Sequence, residues 1–222
     1  MNRQEKYFIV LSGLFTGLLV LANIIATKII TIQFGQNAFF VPAAVLAYAL
    51  TFTITDAISE VWGKERTNWL VFTGFITSVI SALLVKLAIQ MPSAPFWTGQ
   101  EAFQEILGSN LRITLAGMIA YLVSQYHDVW AFHFLKEKTK GRKLWLRNNV
   151  STSVSQLLDT TIFITIAFYG VIPNLFTMIL TQYAIKLMIA VLDTPVVYGL
   201  VYLIRNEKGK TVEEKVSTQS IA

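Results

Sequence analysis

The chain has 222 residues, 54% of them hydrophobic and only 14% charged, with no cysteine and a formal net charge of +5. That balance lies outside the usual mix of a soluble domain, and the missing thiols exclude disulfides and thiolate metal sites. A positive sum in a soluble protein would suggest nucleic acid as a partner, but in so apolar a chain the positions of the basic residues say more than their number.

Six stretches reach the roughly 20 mainly apolar residues that a helix needs to cross a hydrocarbon core of about 30 Å. The first, Tyr7 to Ile32, follows Arg3 and Lys6, exceeds a signal-peptide core and has no small-residue cleavage site behind it, so it is expected to be retained. Asn23 and Thr27 lie one turn apart on it, roughly on the face of Gly13, Thr16 and Gly17. Gly13 and Gly17 form a small-xxx-small pattern, which points to close helix packing.

The second span, Phe39 to Val61, places Asp56 and Glu60 four residues apart on a face shared with Tyr48 and Phe52. Two carboxylates one turn apart cannot both hold a full charge cheaply, which makes Asp56 and Glu60 candidates for proton coupling. Trp69 to Ile89 forms the third span. The stretch Met91 to Asn110 then carries Pro92, Pro95, Trp97, Glu101 and Glu105, with Phe103, Ile106 and Leu107 at helical spacing. This suits a short helix lying on the outer interface, although an ordinary loop with anchoring aromatics has the same composition.

Leu111 to Leu135 is the fourth span, with Arg112 at its outer end and His127, Asp128 and His133 toward the cytoplasmic end. Interfacial hydrogen bonding is the expectation for these last three, because two histidines without a matching carboxylate motif make a poor metal site. On the fifth span, Val150 to Ile172, Thr152, Gln156, Asp159 and Phe163 put a hydroxyl, an amide, a carboxylate and a ring on one stripe. The sixth, Leu175 to Ile204, aligns Gln182, Lys186 and Asp193, and Pro195 is expected to kink it and free a carbonyl near Asp193. Asp159 and Lys186 fall near the midplane of spans joined by a short turn at Pro173 and Asn174, so an antiparallel hairpin would let them pair.

If the spans alternate, Arg3 and Lys6, Lys64 and Arg66, the cluster Lys136, Lys138, Lys140, Arg142, Lys143 and Arg147, and Arg205, Lys208, Lys210 and Lys215 all fall on one side. That is the positive-inside pattern, and both termini are expected in the cytoplasm. Lys28 and Lys86 can snorkel to the outer interface. The expected organisation is an all-α transmembrane domain over residues 1–206 followed by a polar, disordered tail over 207–222. Two three-helix halves of opposite orientation would make an inverted repeat, and a bundle this small is expected to pair as a homodimer.

Acidic and basic side chains near a bilayer centre cost about 2.5–3.5 kcal/mol each on insertion scales, so they need partners or a polar cavity. Asp56, Glu60, Asp159, Lys186 and Asp193 form a ladder across three helices, which suits a solute pathway, whereas a lone Asp–Lys pair could simply fix helix register. A channel would call for a charged ring or a filter-like loop, and neither is present. An intramembrane enzyme would call for a zinc, aspartyl-protease or nucleophile-elbow string, none of which occurs, and no phosphate-binding loop provides for ATP hydrolysis.

The strings Asn23-Ile-Ile-Ala-Thr-Lys28, Leu50-Thr-Phe-Thr-Ile-Thr-Asp56-Ala-Ile-Ser-Glu60-Val-Trp-Gly63, Trp145-Leu-Arg-Asn-Asn-Val-Ser-Thr152, Gln156-Leu-Leu-Asp159-Thr160 and Leu192-Asp193-Thr194-Pro195 occur in this order. Together they resemble the bacterial queuosine precursor transporter family, earlier grouped as vitamin uptake transporters, over nearly the whole chain. The resemblance implies a multi-pass protein of the bacterial inner membrane that imports 7-cyano-7-deazaguanine, and its 7-aminomethyl relative, for queuosine salvage. It implies no enzyme activity, no cofactor and no nucleic-acid partner. A deazaguanine offers adjacent N–H donors and a carbonyl, so Glu60, Asp159 or Asp193 could accept while Asn23, Gln156 or Lys186 donate, and Phe52 or Phe163 could stack on its ring.

Overall fold

The computed structural model describes residues 3–34, 37–108, 111–170 and 174–219, without the side chains of 29, 32, 34, 37–41, 111–114 and 205–219. The chain forms α1 (Arg3–Ile25), a hairpin of β1 (Ile29–Phe34) and β2 (Asn37–Pro42), α2 (Val45–Trp62), α3 (Lys64–Gln90), α4 (Gln100–Leu107), α5 (Leu111–Lys138), α6 (Leu144–Phe168) and α7 (Leu175–Gln219). It is a multi-pass membrane protein. Among the described residues, α1, α3, α6 and the Leu175–Ile204 part of α7 are the helices long and apolar enough to cross a bilayer.

The hairpin departs from the sequence expectation. The apolar runs around residues 29–42 read as the end of one span and the start of the next, yet α1 stops at Ile25 and two antiparallel strands pair Ile29 with Pro42 and Phe34 with Asn37. Hydropathy does not distinguish a β-branched run from a helix, and Ile-Ile-Thr-Ile favours the extended backbone. The hairpin leaves α2 with 18 residues, about 27 Å at the helical rise.

α2 is the hub. It packs against α1, α3, α5 and α7, and every residue from Thr51 to Glu60 is buried. That stretch has no lipid face, so Thr51, Thr53 and Thr55 can carry hydroxyls there by bonding to carbonyls one turn back at 2.7, 3.2 and 3.2 Å. On one flank Leu11, Phe15 and Leu19 of α1 meet Leu70 and Val71 of α3, Tyr121 of α5 and Ile54 and Ile58 of α2. Gly74 permits this approach, because a Cβ there would lie 2.7 Å from the Phe15 ring and 2.8 Å from the Tyr121 hydroxyl. Gly13 and Gly17 have open space where their side chains would be, so they do not bring α1 against another helix of this chain.

The expected short helix before the fourth span is α4, which has no buried residue and is tethered by Gln100 Nε2 donating to the Ile89 carbonyl at 3.0 Å. Lys64 opens α3 and Arg147 lies in the first turn of α6, so both helices begin before the apolar runs expected from Trp69 and Val150. α7 runs on into the stretch after residue 206. The turn at Pro173 and the side chains of Arg112, Arg205, Lys208, Lys210 and Lys215 lie outside the described residues.

Candidate functional site

A narrow cleft opens between α2, α6 and α7, lined by Tyr48, Phe52, Thr152, Gln156, Lys186 and Asp193 with Val45, Ala49, Ile189 and Ala190. One aromatic wall from α2 thus faces an amide and a hydroxyl from α6 and a cation and a carboxylate from α7. Spacing explains the selection: Tyr48 and Phe52 are one turn apart, as are Thr152 and Gln156, while Lys186, Ile189, Ala190 and Asp193 follow the three–four repeat of one helix stripe. The cleft has room for about one water molecule, so a larger solute enters only as the helices part.

Asp159 and Lys186 form the expected pair, with Lys186 Nζ donating to Asp159 Oδ2 at 2.6 Å and the Ser124 hydroxyl 3.3 Å from the other carboxylate oxygen. Both side chains keep some exposure, 15% for Lys186 and 19% for Asp159, so the pair borders the cleft instead of lying sealed in the core. Asn23 sits behind the aromatic wall, its Oδ1 accepting from the Tyr48 hydroxyl at 3.3 Å. Asp193 is half-buried beside Thr53 of α2. Pro195, two residues on, lies inside α7 and leaves the Val191 carbonyl without its usual donor. Phe163 is not at the cleft; it lies against α5 where a Cβ on Gly117 would touch its ring at 3.9 Å.

Glu60 occupies a different place. Its Oε2 meets Arg147 at 2.5 Å and Lys136 at 2.9 Å, and Lys136 also donates to the Glu60 backbone carbonyl at 3.2 Å. Arg147 is fully buried, with its guanidinium 5.2 Å above the Phe132 ring and a further bond to the Arg142 carbonyl at 3.3 Å. Asp56, one turn before Glu60, accepts from the Thr152 hydroxyl at 3.2 Å and so sits directly behind the cleft wall.

Three residues of this core escape a reading by apolar runs. Arg147 and Lys136 look like two more cytoplasmic loop charges, and Asp128 looks like an interfacial acid. In the structure Asp128 is wholly buried and lies beside Asp56, near the hydroxyls of Ser151, Thr152 and Ser155. A signal was present: Arg147, Ser151 and Ser155 recur every fourth residue, a polar stripe that begins before the apolar run. Among the described residues no three His, Asp or Glu side chains gather as a metal site.

Residues 42–200 match the family described as "Putative vitamin uptake transporter". A Bacillus subtilis (strain 168) protein named "Probable queuosine precursor transporter" is 30% identical over 164 residues, 72% of this chain and 72% of its own length. A Haemophilus influenzae protein of the same name is 25% identical over 124 residues, 56% of this chain and 50% of its own. No solved structure matches the chain.

Proposed function

The chain belongs to the vitamin uptake transporter family, and from that premise we propose that it imports queuosine precursors, 7-cyano-7-deazaguanine and its 7-aminomethyl relative, across the bacterial inner membrane. The observation that carries this reading is the chemistry of the cleft between α2, α6 and α7. Phe52 and Tyr48 offer ring faces for a planar base, Asp193 and Asp159 accept from its adjacent N–H groups, and Gln156 and Lys186 donate to its carbonyl. The names of the two relatives support the same substrate class.

On this reading α1, α2, α3, α5, α6 and α7 all cross the bilayer, with both termini in the cytoplasm as the basic residues require. α2 can be less apolar than the others because its stretch from Thr51 to Glu60 is enclosed by its neighbours and meets no lipid. The narrow cleft is then a closed state, and import proceeds as α7 swings against α2 and α6. Asn23 acts on the base through Tyr48, whose ring orientation it holds. Glu60 serves the substrate only indirectly, by pinning α2 to α5 and α6 through Lys136 and Arg147.

The test uses a host unable to make the precursor, fed 7-cyano-7-deazaguanine at low concentration, with queuosine in its transfer RNA as the readout. Expression of the chain restores queuosine, and the Gln156→Ala and Asp193→Asn forms at equal membrane levels do not. No rescue by a correctly inserted wild type would remove the substrate assignment and leave a carrier of another small polar solute.

A further inference from the structure

Behind the cleft, where α2, α5 and α6 meet, two carboxylates share a buried space. Asp56 and Asp128 are 2% and 0% exposed and lie beside one another. The second charge acting on Asp56, after Asp128, is Asp193, another acid, whereas Glu60 is met by the Arg147 guanidinium. Two buried like charges without compensation are strongly unfavourable.

The hydroxyls around them do not supply what is missing. Ser151, Thr152 and Ser155 lie close to Asp128, yet neither Asp128 oxygen makes a hydrogen bond of acceptable geometry, and Asp56 Oδ1 makes none. The reason is visible in where the hydroxyl protons go. Ser151 donates to the Asn148 carbonyl at 3.3 Å, Ser155 to the Ser151 carbonyl at 2.8 Å with His127 Nδ1 3.0 Å from its oxygen, and Thr152 to Asp56 Oδ2 at 3.2 Å. Ser151 and Ser155 therefore turn lone pairs, not protons, toward the carboxylates. What remains is a set of neighbouring acceptors: Asp56 Oδ1, both oxygens of Asp128, the Ser151 hydroxyl, and the Ser155 hydroxyl beyond its contact with His127.

We infer that this cluster is a binding site for a sodium ion, with those oxygens as its ligands. Hard cations take oxygen ligands, and a site rich in acceptors with its donors spent elsewhere suits a cation better than a polar solute. Calcium takes 6–8 oxygens and magnesium keeps several waters, neither of which an enclosed set of this size provides. A single proton would satisfy two oxygens and leave the others unmatched. Thr152 belongs to both places, since its hydroxyl holds Asp56 and it also lines the cleft. Sodium would thus set the position of α6 at the cleft; that coupling rests on the transport reading, whereas sodium binding does not.

The experiment measures thermal unfolding of the full purified chain by tryptophan fluorescence, without any solute, in chelator-treated buffer at constant ionic strength. Sodium raises the melting temperature saturably, and potassium or choline does not. Asp128→Asn abolishes the sodium response, and Ser151→Ala, which removes one ligand without touching charge, weakens the apparent sodium affinity at least tenfold. A wild type indifferent to sodium but stabilised on acidification would assign the pair to a shared proton and overturn the site. So would a sodium response that survives Asp128→Asn, or one matched by calcium.

Discussion

Glu60 and Arg147, 87 residues apart in the chain, meet at 2.5 Å between the last turn of α2 and the first turn of α6, with the arginine entirely shielded from solvent. A buried pair of this kind holds α2 against α6 and fixes register more than it adds net stability. Its removal from one side only is costly, because the surviving charge stays buried. Arg147→Met is expected to destabilise the protein by about 3 kcal/mol, the low end for breaking a buried pair because Lys136 still reaches Glu60, read as a lower melting temperature and lower membrane levels. Combining it with Glu60→Gln should recover much of that loss, and a double variant as unstable as the single one would contradict the pairing.

Asp159 and Lys186, also paired, predict a different pattern because they keep some exposure at the cleft. Lys186→Met and Asp159→Asn should leave the protein in the membrane while lowering uptake more than tenfold. The reversed pair, Asp159→Lys with Lys186→Asp, separates the roles. Normal insertion with no uptake indicates that the solute contacts these groups, and recovery of uptake indicates that they only fix helix register.

The glycines of α1 and α3 should respond in opposite ways. Gly74→Ala puts a methyl group where the Phe15 ring and the Tyr121 hydroxyl already lie, at 2.7 and 2.8 Å. Overpacking of that order costs about 1–3 kcal/mol. Gly13→Ala and Gly17→Ala meet open space and should be neutral or slightly stabilising, by up to about 1 kcal/mol from helix propensity. Thermal unfolding of the three variants decides the matter.

Those glycines also mark what the sequence could and could not disclose. Long apolar stretches located α3, α5, α6 and α7 to within a few residues of their cores, and helical spacing aligned Thr152 with Gln156 and Lys186 with Asp193 on the cleft. The same logic misread the chain from Ile29 to Pro42, because hydropathy has no term for strand pairing. It also counted Arg147 and Lys136 as loop charges, since the positive-inside rule sees where a charge lies along the chain and not what it folds against. Asp128 was hidden for a related reason: its neighbour Asp56 comes from another helix, and no spacing within one helix can reveal that contact.

The proposed topology is open to labelling because the chain has no cysteine of its own. Thr98→Cys, in the exposed segment before α4, should react with a membrane-impermeant maleimide added outside intact cells. Arg142→Cys, exposed between α5 and α6, should react only after permeabilisation. Labelling of both from the same side would contradict an odd number of crossings between them.

Import through the cleft between α2, α6 and α7 is tested most directly by uptake of radiolabelled 7-cyano-7-deazaguanine into proteoliposomes holding only this chain, beside its Phe52→Ala and Asp193→Asn forms. Saturable uptake by the wild type, with both variants at least tenfold slower at equal incorporation, is the expected result. Uptake that is absent in the wild type, or equal in all three, would contradict the assignment of substrate and cleft.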